Sequence, residues 1–154
     1  MAGNFEQKLT EMGITLPTPP APAANYVPFT IAGNILTISG QITMGPDGLE
    51  FVGKLGDTMD VEEGAKAARL CAINILAQAK AALGDLDRIR QVVKIQGFVN
   101  ATPDFTAQPQ VVNGASDFLG EVLGDAGKHA RAAVGMSSLP LGVAVEVDAV
   151  IEFE

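Results

Sequence analysis

Histidine and cysteine are nearly absent from this 154-residue chain, which has one of each, His129 and Cys71, and no tryptophan. A single cysteine excludes an intramolecular disulfide framework. His129 has no second His or Cys with which to share a metal, and no CxxC, HExxH, GxGxxG or P-loop pattern occurs, so metal and nucleotide chemistry lack sequence support. Basic residues are also scarce: ten Lys plus Arg stand against eighteen Asp plus Glu, a net charge of −8. With aromatics at 5%, there is no basic–aromatic surface to hold a polyanion, and nucleic-acid binding is disfavoured. No hydrophobic run approaches membrane-spanning length, and residues 1–15 carry acidic groups but no signal-peptide apolar core. A cytoplasmic protein without membrane contact is the expectation.

What the chain does have is small apolar residues. Hydrophobic residues reach 47% and charged ones only 18%, enough for one domain to bury a core without disulfides. The surplus reads either as cover for a subunit interface or as a plain alanine-rich composition. Cys71 sits in an apolar helical run and reads as a small buried hydrophobe, not a nucleophile.

Asn4 to Met12 predicts a short helix with Asn4 as N-cap, Gly13 as its stop and Phe5, Leu9 and Met12 on one face. The proline-rich stretch Pro17 to Pro28 predicts an extended arm laid over the domain. Two β-rich runs flanking Gly33-Asn34, from Phe29 to Gly40, predict a hairpin. Gly45 to Gly56 is turn-rich. A helix from Val61 to Leu83 follows, opened by an Asp60/Glu63 capping box, closed by Gly84, with an apolar stripe broken only by Asn74. Ile89 to Ala101 reads as a strand, Thr102 to Pro109 as a polar loop, and Gln108 to Leu123 as a second helix. Strands near Arg131–Ser138 and Val143–Phe153 end the chain. The order β-β-α-β-α-β-β predicts a two-layer α+β domain, its two main helices on one face of a mixed sheet.

The last quarter carries the main functional clue. Arg131 and Glu146 lie fifteen residues apart among small or apolar neighbours, on what read as two strands joined by a short turn. A charge in such a setting needs a partner or a task. A planar guanidinium can grip a carboxylate, and a carboxylate can orient water. An interface salt bridge from Arg131 to an acidic residue, Glu146 being one candidate, accounts for the arginine without any ligand. Along Val143–Phe153 one side is apolar, whereas the other (Ala144, Glu146, Asp148, Val150, Glu152) is semi-polar, as suits a subunit interface or a site. His129 reads as a surface or turn residue, though it lies two residues before Arg131.

Taken in order, Ala21-Pro-Ala-Ala near Tyr26, Gly33-Asn34, Ser39-Gly40-Gln41, the helix after Asp60, Asp104-Phe105, Ala130-Arg131, Leu139-Pro140 and Glu146 resemble the reactive intermediate deaminase (Rid, or YjgF) family across residues 21 to 154. Within it they are similar to a longer subgroup bearing an N-terminal helix. The resemblance implies a chorismate-mutase-like fold assembling as a barrel-centred homotrimer, with clefts between subunits. It implies cofactor-independent hydrolysis of 2-enamine/2-imino acids to 2-keto acids and ammonia. Carried over residue by residue, Arg131 would hold a small-molecule substrate's carboxylate, Glu146 would position the attacking water, and Tyr26, Ser39 and Asn113 would line the cleft. Asn113 is the weaker match, because the chain has extra residues after Phe105. The family's Pro-Ala-Arg-Ser-Cys reads here His129-Ala130-Arg131-Ala132-Ala133, so Ala133 removes the thiol and offers only its backbone to the site.

Three functions follow as expectations. The first is the imine hydrolase. The second, favoured by Ala133, is a non-catalytic trimer binding a small carboxylate or carbonyl metabolite. The third is an endoribonuclease, a label some family members carry, against which the acidic charge counts.

Overall fold

The computed structural model describes residues 3–21 and 25–154, so Pro22 to Ala24 of the arm and of the Ala21-Pro-Ala-Ala match lie outside the described residues. Helix α1 spans Asn4–Glu11 and buries Leu9, with Phe5 and Met12 packed on the core beside it, and Gly13 at φ +74° ends it. The expected cap is corrected. Gly3 is the N-cap and has no side chain to give, so the free N–H groups of Asn4 and Phe5 donate to the Asp87 carboxylate at 2.8 and 3.0 Å. That cap comes from a residue more than eighty positions away, which no local spacing reveals.

Strands β1 (Phe29–Ala32) and β2 (Ile35–Gln41) form the hairpin that Gly33-Asn34 signals, with Ala32 paired to Ile35 and Gly33 at φ +62°. The turn-rich stretch contains a two-residue-strand hairpin, β3 (Met44–Gly45) with β4 (Gly48–Leu49). Helix α2 spans Val61–Leu83, and its capping box is complete: Glu63 N donates to Asp60 Oδ1 at 2.9 Å while Asp60 N donates to Glu63 Oε2 at 3.3 Å. Asn74, the polar break in its stripe, is buried and donates to the carbonyls of Ile42 and Met44, tying that small hairpin to the helix. Strand β5 (Ile89–Asn100), helix α3 (Gln108–Leu123), strand β6 (Ala130–Met136) and strand β7 (Val145–Phe153) complete the chain.

The five main strands form one mixed sheet in the order β1-β2-β7-β5-β6, antiparallel except for the parallel β5–β6 pair. The last two strands are therefore not neighbours, contrary to the short-turn reading: β5 runs between them. A parallel pair needs a crossover, and α3 supplies it between β5 and β6. The segment after Met136 then carries the chain past β5 to β7, through a single turn of 3₁₀ helix at Pro140–Gly142.

Helix α2 packs on β7 and β2, and α3 on β5 and β6, so both helices cover one face. The core lies between, built from Leu36, Ile38, Ile95, Val147 and Ile151 of the sheet against Ile75, Leu76, Phe118 and Leu119. Cys71 is fully buried there, its Sγ 3.5 Å from the Val145 carbonyl, and burial followed by the charge of Glu146 pushes its thiol pKa far up. The helices touch at Gly114, where an added Cβ would sit 1.9 Å from the Ala65 carbonyl oxygen. Gly114→Ala must force them apart and is expected to cost about 1–3 kcal/mol. A urea melt with a lowered midpoint and unchanged slope checks this.

Among the described residues, no helix covers the opposite face. It presents Glu146, Asp148, Val150 and Glu152 of β7, in strict alternation with buried residues, beside Gln96 and Phe98 of β5 and Val134 of β6, which is 41% exposed. No helix among the described residues is long and apolar enough to cross a membrane.

Candidate functional site

Two half-sites emerge from the residues singled out in the sequence. The first lies on the helix side of β6. Partnered residues in a sheet point to the same face, and Arg131 pairs with the buried Ile95, so its side chain rises toward α3. There Nη1 donates to Asn113 Oδ1 at 2.8 Å and to Ser116 Oγ at 3.0 Å, while Nη2 donates to the Pro109 carbonyl at 3.4 Å. Asn113 and Ser116 are three apart on α3 and so share one helix face. A guanidinium has five N–H donors, so the Nε–H and one Nη2–H remain for an incoming acceptor. The group is held in place before any ligand arrives, which lowers the ordering cost of gripping a planar anion.

Ser116 extends the chain of contacts. Its Oγ lies 2.8 Å from His129 Nε2, and His129 Nδ1 lies 2.6 Å from the Gly127 carbonyl. Together Asn113, Ser116, Gly127, Lys128, His129 and Arg131 line a cleft of about 370 Å³. Its charged walls are cationic, apart from the pairing of Lys128 with Asp125 at its rim. Neither Ser116 nor the part played by His129 was evident from the sequence. The signal was the i, i+3 spacing of Asn113 and Ser116 on a helix returning to Arg131, which only the crossover makes meaningful.

The second half-site lies at the β2–β7 junction on the open face. Glu146 pairs with Phe98, whose neighbours Gly97 and Val99 face the helices, so its side chain takes the opposite side from Arg131. Register slips here: Ile38 pairs with Ala149 but Gln41 with Val147, leaving a bulge at Ser39–Gly40. The bulge makes room for the carboxylate, since a Cβ at Gly40 would stand 2.6 Å from Glu146 Oε2. Half-burial, then the nearby Asp148 carboxylate, raise the Glu146 pKa above the usual carboxylate range. Asp148 is raised as well, chiefly by burial, with the Gln96 backbone and the Lys94 charge opposing.

Ser39 serves this half-site indirectly. Its hydroxyl donates to the Val27 carbonyl at 2.8 Å and its N–H to Pro28, fastening the segment that carries Tyr26 to β2. Tyr26 is 60% exposed. Ala133 faces the helices between the halves, partly buried against the core.

Arg131 and Glu146 thus stand two strands apart, about 10 Å across the sheet by strand spacing, on opposite faces, and Glu146 lies level with Val134, three residues along β6 from Arg131. None of the ion pairs among the described residues of the chain joins them. A second cavity, of about 570 Å³, lies at the far end of β6 between Lys54, Phe105, Gln108 and Met136. The polar loop after Thr102 forms its wall, and reaches Arg131 only through the Pro109 carbonyl.

A family model described as "YjgF/chorismate_mutase-like, putative endoribonuclease" matches residues 6–152. The protein TCP17 of Trypanosoma cruzi is 48% identical over 152 residues, 98% of this chain and 95% of that protein. Among solved structures, the Agrobacterium tumefaciens protein Atu1372, of unknown function, is 52% identical with a TM-score of 0.91, covering 97% of this chain and 92% of that one. An endoribonuclease candidate from Shewanella oneidensis is 35% identical with a TM-score of 0.94, over 98% and 100% of the two chains. The Escherichia coli protein TdcF, solved with bound serine, is 25% identical with a TM-score of 0.63, over 89% and 94%.

Proposed function

This chain belongs to the YjgF/chorismate mutase-like family, and we propose that it hydrolyses reactive 2-enamine/2-imino acids to 2-keto acids and ammonia, at a cleft completed between copies of a homotrimer. The observation that carries the reading is the separation of a pre-held guanidinium from a half-buried glutamate by the thickness of the sheet. One chain cannot aim both at a single small molecule, whereas the β6 edge of one copy set against the open face of the next can. The serine bound to TdcF supports a small amino or keto acid as the occupant.

Arg131 grips the substrate carboxylate through its remaining donors and fixes the imine carbon beside the Ala133 backbone. Tyr26 closes the cleft from the neighbouring copy, and Ser39 positions it. Glu146, its basicity raised by burial, takes a proton from water as the oxygen attacks the C=N carbon. The resulting carbinolamine carries OH and NH₂ on one carbon. With the imine bound as its protonated form, C=NH₂⁺, the balance closes: the same carboxyl protonates the carbinolamine nitrogen, ammonia departs, and the hydroxyl proton returns to Glu146 as the C=O forms. The imine is already electrophilic, so positioning and one mobile proton are sufficient catalysis.

Purified protein added to an imine-generating amino-acid dehydratase fed with serine or threonine is expected to speed keto-acid release. Unchanged release across a panel of amino acids, with the protein folded and assembled, would refute the reading. Gly40→Ala supplies a finer check: its methyl group displaces the Glu146 carboxylate and is expected to lower kcat roughly tenfold or more, with an unshifted melting curve. Ala133 favours a second reading, a trimer that binds carboxylate metabolites without turning them over. In that case keto acids bind in an Arg131-dependent way while imine decay is unaltered. The endoribonuclease description attached to the family has the net charge of −8 against it.

A further inference from the structure

We propose that His129 and Ser116 are positioning residues that hold Arg131 and link carboxylate binding to the uptake of one proton. The inference rests on the carboxylate-binding role given to Arg131 above, but not on imine chemistry.

The hydrogen-bond directions follow from what each atom can do. The Gly127 carbonyl only accepts, so His129 Nδ1, 2.6 Å away, must be the protonated nitrogen. In the neutral ring Nε2 is then an acceptor, and Ser116 Oγ–H, 2.8 Å away, donates to it. That leaves the Ser116 lone pairs to receive Arg131 Nη1–H at 3.0 Å. With Asn113 Oδ1 taking the other Nη1–H, each hydrogen bond of the relay has a donor and an acceptor with His129 neutral.

Protonation reverses one link. Nε2–H now donates to Ser116 Oγ, which still accepts from Arg131, and the Ser116 hydroxyl hydrogen loses its acceptor. It turns into the cleft, where a bound carboxylate can receive it. Ligand and proton therefore favour each other twice, by this freed donor and by the added positive charge. Reciprocity then requires a bound carboxylate to favour the proton-accepting arrangement of the relay as much as that arrangement favours the carboxylate. The charged groups around the ring are Arg131 and the Lys128–Asp125 pair; α3 faces it with Asn113, Ser116 and Gly120, none of them titratable. In the assembled cleft the neighbouring copy's Glu146 faces the same ligand; its half-buried carboxyl is common to wild type and variants, so the comparison with His129→Gln isolates the ring's share.

The chain's single histidine makes the test direct. Ring ¹⁵N shifts of the free protein at pH 8 are expected to show the Nδ1–H tautomer. Calorimetric binding of pyruvate, a carboxylate anion throughout, is expected to tighten roughly tenfold from pH 8 to pH 5.5. His129→Gln keeps an acceptor for Ser116 but cannot titrate; whatever its affinity at pH 8, it should lose most of the change in affinity between pH 8 and pH 5.5. Ser116→Ala should weaken binding at both pH values and flatten the profile. An Nε2–H tautomer, an equal pH dependence in His129→Gln, or no pyruvate binding by the folded protein would each overturn the proposal. A protein that binds pyruvate with proton uptake yet leaves imine decay unaltered would keep this inference and discard the hydrolase.

Discussion

Arg131→Ala is expected to lower kcat/KM for imine hydrolysis on the order of 10²- to 10³-fold, the loss of a charge-assisted double hydrogen bond to the substrate carboxylate. The fold should survive it. Arg131 lies on the edge strand β6 and is partly exposed, and its partners Asn113 and Ser116 face a cleft open to water. Arg131→Lys should recover little. An ammonium cannot bond Asn113, Ser116 and the Pro109 carbonyl while offering a planar edge to a carboxylate. Kinetics on the same imine for wild type, Ala and Lys variants, beside a thermal melt of each, decides the matter. A melt that moves as far as the rate does would mean that Arg131 is structural.

Glu146→Gln should leave substrate binding nearly intact and reduce kcat by about 10²–10⁴, the usual worth of a general base. The pH dependence has a definite sign. Burial raises this carboxyl's pKa, so wild-type kcat should fall as pH drops through a value above the ordinary glutamate range. Stability runs the other way. Between the unfolded pKa and the raised folded one the native state binds more proton, so stability declines as pH rises through that window. Glu146→Gln is therefore expected to be at least as stable as wild type at pH 7, read by denaturant midpoint.

The opposite-face geometry adds a test that single variants cannot make. If each cleft takes its arginine from one copy and its glutamate from another, an equal mixture of Arg131→Ala and Glu146→Gln chains, refolded together, regains activity. Random assembly leaves both groups native at about a quarter of the clefts. A pair of groups from the same chain would regain nothing at any ratio.

Elements set by local chemistry were legible from the residues. The Asp60/Glu63 box and Gly84 bound α2 at both ends, Gly33-Asn34 turns the first hairpin, and the apolar repeat of α3 runs over its predicted length. Alternation along β7 separated Glu146 and Asp148 from the core face. Pairing was not legible, because periodicity tells which side a residue faces but not which strand lies next to it. Hence β6 and β7 read as neighbours although β5 parts them. The site residues followed the same rule. Arg131 and Glu146 stood out as isolated charges, whereas Ser116 and His129 gain meaning only after α3 folds back on β6. Gly40 carries no chemistry, and its importance is the space it leaves for another residue's carboxylate.

Cys71, sealed under β7 with its sulfur against the Val145 carbonyl, turns the protein into its own reporter. As the only thiol in the chain it is invisible to an alkylating reagent until α2 parts from the strand that carries Glu146. Its labelling rate would thus time the opening of that one layer, without an introduced probe, and would show whether an occupied cleft slows the breathing of the sheet beneath it.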